Sequence, residues 1–334
     1  MANIIPATRN AEHTGLAGDQ AREKTGDNVL PSGNHNAIEV RQVSKQFGAV
    51  QAVNGVDLSV RRGEMFGLIG HNGAGKSTLF KMMLGLLPVS AGTIHVDGVR
   101  TDASAFRDVR RRIGYVPENV VLYDNLSGLE TVEFFARLKG VDRRTCGSVL
   151  ERVGLSHAAD RRVHGYSKGM RQRLGFAQAL LGAPQLMFLD EPTSGLDPEA
   201  IRAFYRMLAE LKAEGVTLIL SSHILAEIQE RVDRLAIMAG GQIRALGSLQ
   251  SLRERVHLPL HLQVTLNGDS APVIALLQAH ALTHEQQAAD RIVITCPRER
   301  KMDVLALISP LTTSVVNLDI QEPSLEDVFF GIAQ

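Results

Sequence analysis

The stretch "GHNGAGKS", residues 70–77, combines glycines with a lysine and a serine in an order that suits phosphate binding. It fits the pattern G-x-x-x-x-G-K-[ST], with a strand-like segment before it and a helix-like segment after it. Glycines let successive backbone N–H groups face one centre, where the start of a helix adds positive potential. We therefore expect Lys76 to contact the β- and γ-phosphates of a nucleotide and Ser77 to offer its hydroxyl to Mg²⁺. The alternative is a glycine-rich turn without a ligand.

Two carboxylates follow the apolar stretch "LMFL" of residues 186–189. Ligands collect at the carboxyl ends of strands in open α/β sheets, so Asp190 and Glu191 are placed for chemistry. Asp190 suits the coordination shell of Mg²⁺, and Glu191 suits a general base that polarises an attacking water. The alternative is an ordinary solvated turn before "PT".

Three other side chains are candidates, each with a structural alternative. His223 ends the apolar stretch "TLILSSH", and we expect it to donate a hydrogen bond to the terminal phosphate; alternatively it is an exposed histidine at a helix start. Phe47 is expected to stack on an adenine ring, although a phenylalanine after a strand also suits a core. Asp197 in "SGLDPEA" has the form of a helix N-cap followed by proline, and a further role across an interface is compatible with that cap.

The stretch "YSKGMRQR", residues 166–173, places three cations at the start of a predicted helix. By itself it fits a solvated helix face, a nucleic-acid patch or half of an anion site. The chain has 36 Lys and Arg against 36 Asp and Glu, so its formal net charge is zero. Without a general basic field, a nucleic-acid partner is not expected.

The segments between these motifs alternate between strand-like and helix-like patterns. Strands are predicted near residues 37–48, 56–70, 92–98, 185–191, 216–223 and 234–247, with a mainly helical stretch over 129–180. Apolar strands separated by helices predict a parallel sheet covered on both faces. Beyond residue 247 the pattern becomes β-α-β-α-β with a closing helix over 323–333, which predicts a small α+β domain.

The composition predicts an intracellular chain. Its two cysteines, Cys146 and Cys296, indicate neither a disulfide framework nor a zinc site. No apolar run approaches the roughly 18 residues of a membrane span. Residues 1–37 lack both the apolar segment of a secretory signal and any periodicity, and we expect them to form a mobile tail.

In this order and spacing, "GHNGAGKST", "YSKGMRQR", "LMFLDEPTSGLD" and "SSH" resemble the ATP-binding subunits of ABC transporters. The resemblance implies an α/β P-loop NTPase fold, with the ABC-type nucleotide-binding domain and its helical subdomain over residues 38–247. The tail of 1–37 precedes this domain, and the small C-terminal α+β domain of 248–334 follows it. The implied ligands are ATP and Mg²⁺. The implied phosphate-loop residues are Gly70, His71, Asn72, Gly73, Ala74, Gly75, Lys76, Ser77 and Thr78.

The resemblance also implies a head-to-tail dimer with a second copy of the chain and a membrane permease partner. The chain would then lie in the cytoplasm, peripheral on the inner face of the membrane. Ser167 and Gly169 are expected to meet the γ-phosphate bound by the other copy. The common family signature is L-S-G-G-Q, from which Tyr166, Lys168 and Met170 depart. Glu118 stands where the family usually has glutamine, and its carboxylate is a further candidate ligand for Mg²⁺.

A narrower resemblance involves "GYVPENVVLYDNLSGLETVEFFARLKG", "VGLSHAADRRVHGYSKGMRQRLGFAQALLG" and "QEPSLEDVFF". These stretches are similar to NosF-type ATPases, which serve copper-site maturation of nitrous oxide reductase. This similarity implies a periplasmic accessory partner and a sulfur or copper cargo that crosses the inner membrane.

Several other functions remain open from the sequence. They are an ATPase of an exporter for another small molecule, a soluble ABC-type ATPase of translation or DNA repair, a P-loop kinase and a non-catalytic regulatory module. For the C-terminal domain, a dimer-stabilising or regulatory role is preferred over a ligand sensor.

Overall fold

The structure, a computed structural model, describes residues 35–229, 231–255, 259–268, 270–311 and 314–321. The strands are β1 (Asn36–Phe47), β2 (Val50–Arg61), β3 (Met65–Ile69), β4 (Ala91–Val96), β5 (Val99–Arg100), β6 (Ile113–Val116), β7 (Leu186–Leu189), β8 (Thr217–Ser222), β9 (Arg234–Ala239), β10 (Gln242–Gly247), β11 (Leu260–Leu266), β12 (Thr283–Ala288), β13 (Arg291–Cys296) and β14 (Val315–Gln321). The α-helices are α1 (Lys76–Met83), α2 (Phe106–Arg111), α3 (Gly128–Lys139), α4 (Cys146–Arg152), α5 (Lys168–Leu180), α6 (Pro198–Ala213), α7 (Leu225–Ile228), α8 (Leu249–Arg255), α9 (Ala271–Ala279) and α10 (Lys301–Ile308).

The first strands form a separate antiparallel sheet with the order β2-β1-β4-β5. A tight turn at Gly48, with φ of 56°, joins β1 directly to β2, and the two strands pair antiparallel. A parallel neighbour would need a long crossover, which a two-residue connection cannot supply. The parallel sheet predicted from apolar strands separated by helices therefore does not include these strands.

The central sheet has the order β10-β9-β3-β8-β7-β6 and is parallel except at its β10 edge. Gly240 and Gly241 have φ of 56° and 75°, and they turn the chain so that β10 pairs antiparallel with β9. Every residue of β3, β7 and β8 is buried, as expected for strands covered on both faces. Because β3, β7 and β8 run in one direction, the segments after them meet at one edge.

The helical stretch predicted over 129–180 contains α3, α4 and α5, with short 3₁₀ turns between them. Ser127 and Glu130 form a reciprocal capping box at the start of α3, which satisfies two N–H groups there. Buried residues of the three helices, including Val132, Leu150 and Leu174, share one hydrophobic cluster with strands of the central sheet. This helical layer fixes the position of α5, whose first turn carries the signature stretch.

The C-terminal residues form a second α/β unit with the order β-α-β-β-α-β. Its sheet has the order β12-β13-β11-β14 and is antiparallel throughout, which is the split βαβ arrangement. Leu262 and Val264 of β11 join Ile292 and Ile294 of β13 in its core. The sequence pattern missed β12, because this edge strand is exposed along most of its length and has no apolar alternation.

Near two predicted domain boundaries, at 37/38 and 247/248, the structure contains elements that the sequence did not indicate. β1 begins at Asn36 and Ala37 is buried, so the last two residues of the predicted tail belong to a strand. Residues 1–34 and the predicted closing helix over 323–333 lie outside the described residues.

In α8, Leu252 packs with Ile69 and Ile237 in a cluster of the ATP-binding part, although α8 follows residue 247. The division at 247/248 stays a prediction.

No helix in the part of the chain that the structure describes is long and apolar enough to cross a bilayer.

Candidate functional site

The loop between β3 and α1 is pressed closely against neighbouring backbone. A Cβ on Gly70 would lie 2.3 Å from the carbonyl oxygen of Met238, and one on Gly75 would lie 2.5 Å from that of Ala52. Gly75 also has φ of 104° immediately before α1. Glycine is required at both positions because any side chain would displace the loop from the sheet.

Lys76 is the first residue of α1 and is 6% exposed. Its ammonium donates to the carbonyl oxygen of Gly70 at 2.7 Å and to that of His71 at 3.4 Å. It also lies 3.3 Å from Oε1 of Glu191 in an ion pair. The loop thus holds a buried positive charge next to the carboxylate that follows β7.

Glu191 is held by three neighbours at the sheet edge. Its backbone has φ of 47°, a left-handed conformation that is uncommon for a non-glycine residue. Its N–H donates to Ser221 Oγ at 2.9 Å. Its Oε2 lies 2.7 Å from Nδ1 of His223 and accepts from the His223 N–H at 3.3 Å. Oε1 is buried and accepts no hydrogen bond from the described residues, although Lys76 is within ion-pair distance.

Asp190 faces the serine of the phosphate loop. Its Oδ1 accepts from Ser221 Oγ at 2.6 Å and from Ser77 Oγ at 3.3 Å, and the residue is 4% exposed. Burial, together with the Asp190 charge, raises the pKa of Tyr115 to about 12. The described residues contain no group of three or more His, Cys, Asp and Glu side chains that could hold a metal ion. A magnesium ion is usually bound through one or two carboxylates plus substrate phosphates, so this small oxygen set suits it.

Ser167 and Gly169, from the signature stretch of residues 166–173, lie at the start of α5 and not in the phosphate loop. Ser167 caps α5 by accepting from the N–H of Met170 at 3.3 Å. Asp197 caps α6, as its sequence context predicted, with Oδ1 accepting from the N–H groups of residues 199 and 200 at 3.0 and 2.8 Å. Together with Gly169, both line a cavity of about 770 Å³ between α5 and α6. None of the described hydrogen bonds links Ser167 or Asp197 to the phosphate loop.

Most of the remaining candidate residues are exposed. The Phe47 side chain is 47% exposed, so the core alternative is wrong, and Lys45 places its ammonium 5.1 Å from the ring centroid. Glu118 is exposed and follows β6 by two residues. Of the other loop residues, His71, Asn72 and Gly73 are exposed, Ala74 is buried and Thr78 lies within α1.

Two side chains at the site escaped the sequence analysis. Ser221 accepts from the Glu191 N–H and donates to Asp190, so one hydroxyl orients both acidic residues. Gln172 donates through Nε2 to the carbonyl oxygen of Pro192 at 3.0 Å and connects α5 to the loop after Glu191. A serine at the buried end of an apolar strand was the available signal for Ser221, whereas nothing local distinguishes Gln172.

Known proteins are similar to this chain over most of its length. A family model described as "ABC transporter" matches residues 53–194. The linearmycin resistance ATP-binding protein LnrL of Bacillus subtilis (strain 168) is 30% identical over 305 residues, which cover 88% of this chain and 97% of that protein. The bacitracin transport ATP-binding protein BcrA of Bacillus licheniformis is 33% identical over 298 residues, which cover 87% of this chain and 95% of that protein.

Two solved structures have a similar fold over the ATP-binding part. An ATP-binding subunit of an ABC transporter superposes with a TM-score of 0.61 at 35% identity and covers 66% of this chain and 92% of its own. The dimeric bacterial ABC transporter cassette MJ0796 gives a TM-score of 0.59 at 25% identity and covers 64% of this chain and 98% of its own.

The glycine-rich loop, its buried lysine and the acidic pair on a parallel sheet define a P-loop nucleotide-binding protein. Within that class, the chain belongs to the ATP-binding subunits of ABC transporters. It is an ATP-binding motor subunit, and its ATPase activity is coupled to transport.

Proposed function

We propose specific roles in ATP hydrolysis for the residues that meet at the sheet edge. The contact series Lys76–Glu191–His223 carries the proposal. In it, the Glu191 carboxylate lies 3.3 Å from the Lys76 ammonium and 2.7 Å from the His223 imidazole. The oxygen of a water attacks the terminal phosphorus, its proton passes to the Glu191 carboxylate, and the bond from phosphorus to the ADP oxygen breaks. Lys76 neutralises the charge that grows on the phosphate oxygens.

The contact between His223 and Glu191 limits how the histidine can act. If Nδ1–H donates to Glu191, a neutral ring has only an acceptor at Nε2. Donation from Nε2 to the terminal phosphate therefore requires the imidazolium form.

Ser77 and Asp190 are the residues proposed to hold Mg²⁺, with Glu118 as a further ligand. When bound, the ion would offset negative charge on the phosphate oxygens. Ser77 Oγ and Asp190 Oδ1 already lie 3.3 Å apart, and both are the oxygen donors that Mg²⁺ prefers. Replacing Glu118 with glutamine should leave nucleotide binding intact while changing the Mg²⁺ concentration needed for half-maximal hydrolysis.

We propose that the active form is a head-to-tail dimer in which Ser167 and Gly169 of one copy contact the ATP of the other. The support is that these residues lie at the start of α5, where N–H groups and the helix dipole favour an anion. Asp197, exposed at the start of α6, would meet the partner copy beside them.

Mixed dimers test this shared site. A copy with Ser167→Arg is paired with a tagged copy carrying Lys76→Ala, and nucleotide occlusion is measured in purified mixed dimers. If the sites are shared, one site of the mixed dimer contains both substitutions and the other contains neither. About half of the wild-type occlusion should therefore remain. Each homodimer variant should occlude none. No occlusion in proven mixed dimers would mean that Ser167 serves its own nucleotide.

For the cargo, we propose a sulfur or copper species that supports copper-centre assembly of nitrous oxide reductase. The support is the similarity of three stretches, within residues 114–140, 153–182 and 321–330, to NosF-type ATPases. The partners would be a membrane permease, through which the chain lies on the inner face of the membrane, and a periplasmic accessory protein. Disruption of the gene should leave the reductase polypeptide at normal levels but without a copper centre; full copper occupancy would reject this cargo class.

Export of another small molecule is the second candidate. It is favoured by the two relatives that match over most of their length and whose names state linearmycin resistance and bacitracin transport. Under this alternative, disruption lowers resistance to an exported compound and leaves the copper content of the reductase unchanged. A multi-span membrane protein should co-purify with the chain in both cases.

A further inference from the structure

Glu191 and His223 are in contact although they belong to different segments of the chain. Glu191 follows β7, His223 follows β8, and the carboxylate Oε2 lies 2.7 Å from the imidazole Nδ1. The His223 side chain is 41% exposed, so burial does not hold it in place. Glu191 has a left-handed φ of 47°, which a non-glycine residue keeps only where its neighbours hold it. The geometry of the pair therefore depends on what joins the two segments.

A second hydrogen bond joins the same two segments. Thr193 Oγ1 donates to Glu227 Oε2 at 2.7 Å, and Thr193 is 6% exposed. Thr193 lies two residues after Glu191, and Glu227 lies four residues after His223. A hydroxyl that donates to a carboxylate forms a stronger hydrogen bond than two neutral groups do. This bond therefore fixes the segment of Glu191 against α7, the helix that follows His223.

Glu227 is in turn held by α6. Arg231 donates through a guanidinium N–H to the carbonyl oxygen of Glu227 at 2.6 Å, and its guanidinium carbon lies 4.1 Å from the ring centroid of Tyr205. Tyr205 belongs to α6 and is 7% exposed. Burial, followed by the Glu227 charge, raises the pKa of Tyr205 to about 12, so its hydroxyl stays protonated near neutral pH. These contacts attach α7 to α6 and give Thr193 a fixed acceptor.

The segment after Glu191 has further hydrogen bonds, but they serve a different purpose. Gln172 of α5 donates to the carbonyl oxygen of Pro192 at 3.0 Å. The N–H of Ser194 donates to the carbonyl oxygen of Glu191 at 3.1 Å. Both bonds fix the course of this loop, and neither connects it to the segment after β8. The bond from Thr193 does make that connection.

We propose that the Thr193–Glu227 hydrogen bond positions Glu191 and His223 for ATP hydrolysis. Glu227 is then a positioning residue that acts through Glu191. The bond restricts Glu191 to the arrangement in which its carboxylate contacts both Lys76 and His223. Small displacements of a reacting group cost large factors in rate, even when the change lies away from the chemistry. The role of Glu227 rests on the functions proposed above for Glu191 and His223.

The test measures kcat and KM for MgATP by phosphate release from the full chain. Glu227→Ala and Thr193→Val should each lower kcat about 10- to 100-fold and leave KM unchanged, because the phosphate loop and not this bond holds the nucleotide. Thr193→Val keeps the branched shape and removes the donor, so it gives the same test if Glu227→Ala does not fold. Glu227→Gln and Thr193→Ser should restore most of kcat, because they retain an acceptor and a donor.

Two combinations distinguish positioning from a general loss of stability. The double variant Thr193→Val with Glu227→Ala should be no slower than the slower single variant, because both changes remove the same bond. In a Glu191→Gln background, Glu227→Ala should cause no further loss of turnover, because no general base remains to be positioned. Gln229→Ala is the matched control, since it removes a side chain of the same length at the end of α7 and should keep the kcat of the wild type.

Unchanged kcat in Thr193→Val and Glu227→Ala would overturn the role of the bond, even if the melting temperature falls. A loss of the same size in the Glu191→Gln background would also overturn it, because the effect would then not pass through Glu191. If Glu191→Gln itself turns over ATP at the wild-type rate, the proposed general base is wrong and the positioning role fails with it. That failure is distinguishable, since it precedes any change at Thr193 or Glu227.

Discussion

Glu191 and Lys76 form a buried ion pair at the edge of the central sheet. A buried charge without a partner is costly, so each of the two residues offsets the charge of the other. The pair is placed where ATP hydrolysis needs both a proton acceptor and a cation. Two substitutions separate these contributions.

Glu191→Gln should bind MgATP normally and hydrolyse it about 10²–10⁴ times more slowly, because an amide keeps the shape but accepts no proton. Binding is measured by calorimetry and turnover by phosphate release. Glu199→Gln is the control, since this exposed carboxylate lies at the start of α6 and should keep full turnover. Loss of ATP binding in Glu191→Gln would make Glu191 a structural residue.

Lys76→Ala should abolish hydrolysis, because the missing ammonium leaves growing charge on the phosphate unneutralised. Lys81→Ala is the matched control, since Lys81 is exposed on the same short helix and should retain normal turnover. Phosphate release at saturating MgATP measures both variants. Near-normal turnover in Lys76→Ala would contradict the assignment of the phosphate loop.

At the scale of elements, three parallel strands bring the reacting groups together. β3 leads into the phosphate loop, β7 ends before the acidic pair and β8 ends before His223. Ser221 of β8 joins the acidic pair after β7 by hydrogen bonds to both members. The antiparallel sheet of β1, β2 and β4 contains a different titratable group, His95, whose protonation affects stability.

His95 on β4 is buried, and burial, followed by the nearby Arg100 and Arg41, lowers its pKa below 6.5. Glu39 and Asp102 oppose this shift. The folded state therefore favours the neutral ring, and below about pH 6.5 the unfolded chain binds the proton more readily. The free energy of unfolding should fall as the pH decreases from 7.5 to 5.5.

His95→Gln should reduce this loss of stability, measured by urea unfolding at the two pH values. His157→Gln, at an exposed position, is the control and should show the pH dependence of the wild type. An identical pH dependence in His95→Gln would show that His95 does not contribute.

At the scale of the whole molecule, the C-terminal unit has a hydrophobic cluster of its own. Leu262 and Ile294 belong to it, and none of its members belongs to the clusters beneath the nucleotide site. Damage to this cluster should therefore not reach the phosphate loop. This separation makes the C-terminal unit testable independently of ATP binding.

Leu262→Ala should destabilise the C-terminal unit by about 2–5 kcal/mol, because it leaves a cavity in a core. The affinity for MgATP should not change. Hydrogen exchange of β11 and β13 reports the first effect, and calorimetry reports the second. Val316→Ala, at a 66% exposed position in the same sheet, should alter neither. Weakened ATP binding in Leu262→Ala would show that the two units are coupled.

The sequence was sufficient for features formed by neighbouring residues. The pattern of residues 70–77 predicted the loop into α1, and "SGLDPEA" predicted the Asp197 cap, because such backbone hydrogen bonds close within a few residues. Mainly apolar runs predicted β3, β7 and β8, since strands buried on both faces need no alternation.

The sequence did not predict contacts between segments that are far apart along the chain. The sequence placed Lys76, Glu191 and His223 at one edge but did not show that Glu191 bridges the other two, because that contact depends on strand order and on the left-handed conformation of Glu191. The separate antiparallel sheet and the edge strand β12 were missed for a related reason. Strand pairing is made by backbone groups that every residue carries, and an exposed edge strand needs no apolar pattern to pair. Which strands are neighbours is decided by packing of the whole chain, because only the assembled core determines which backbone groups are removed from water together.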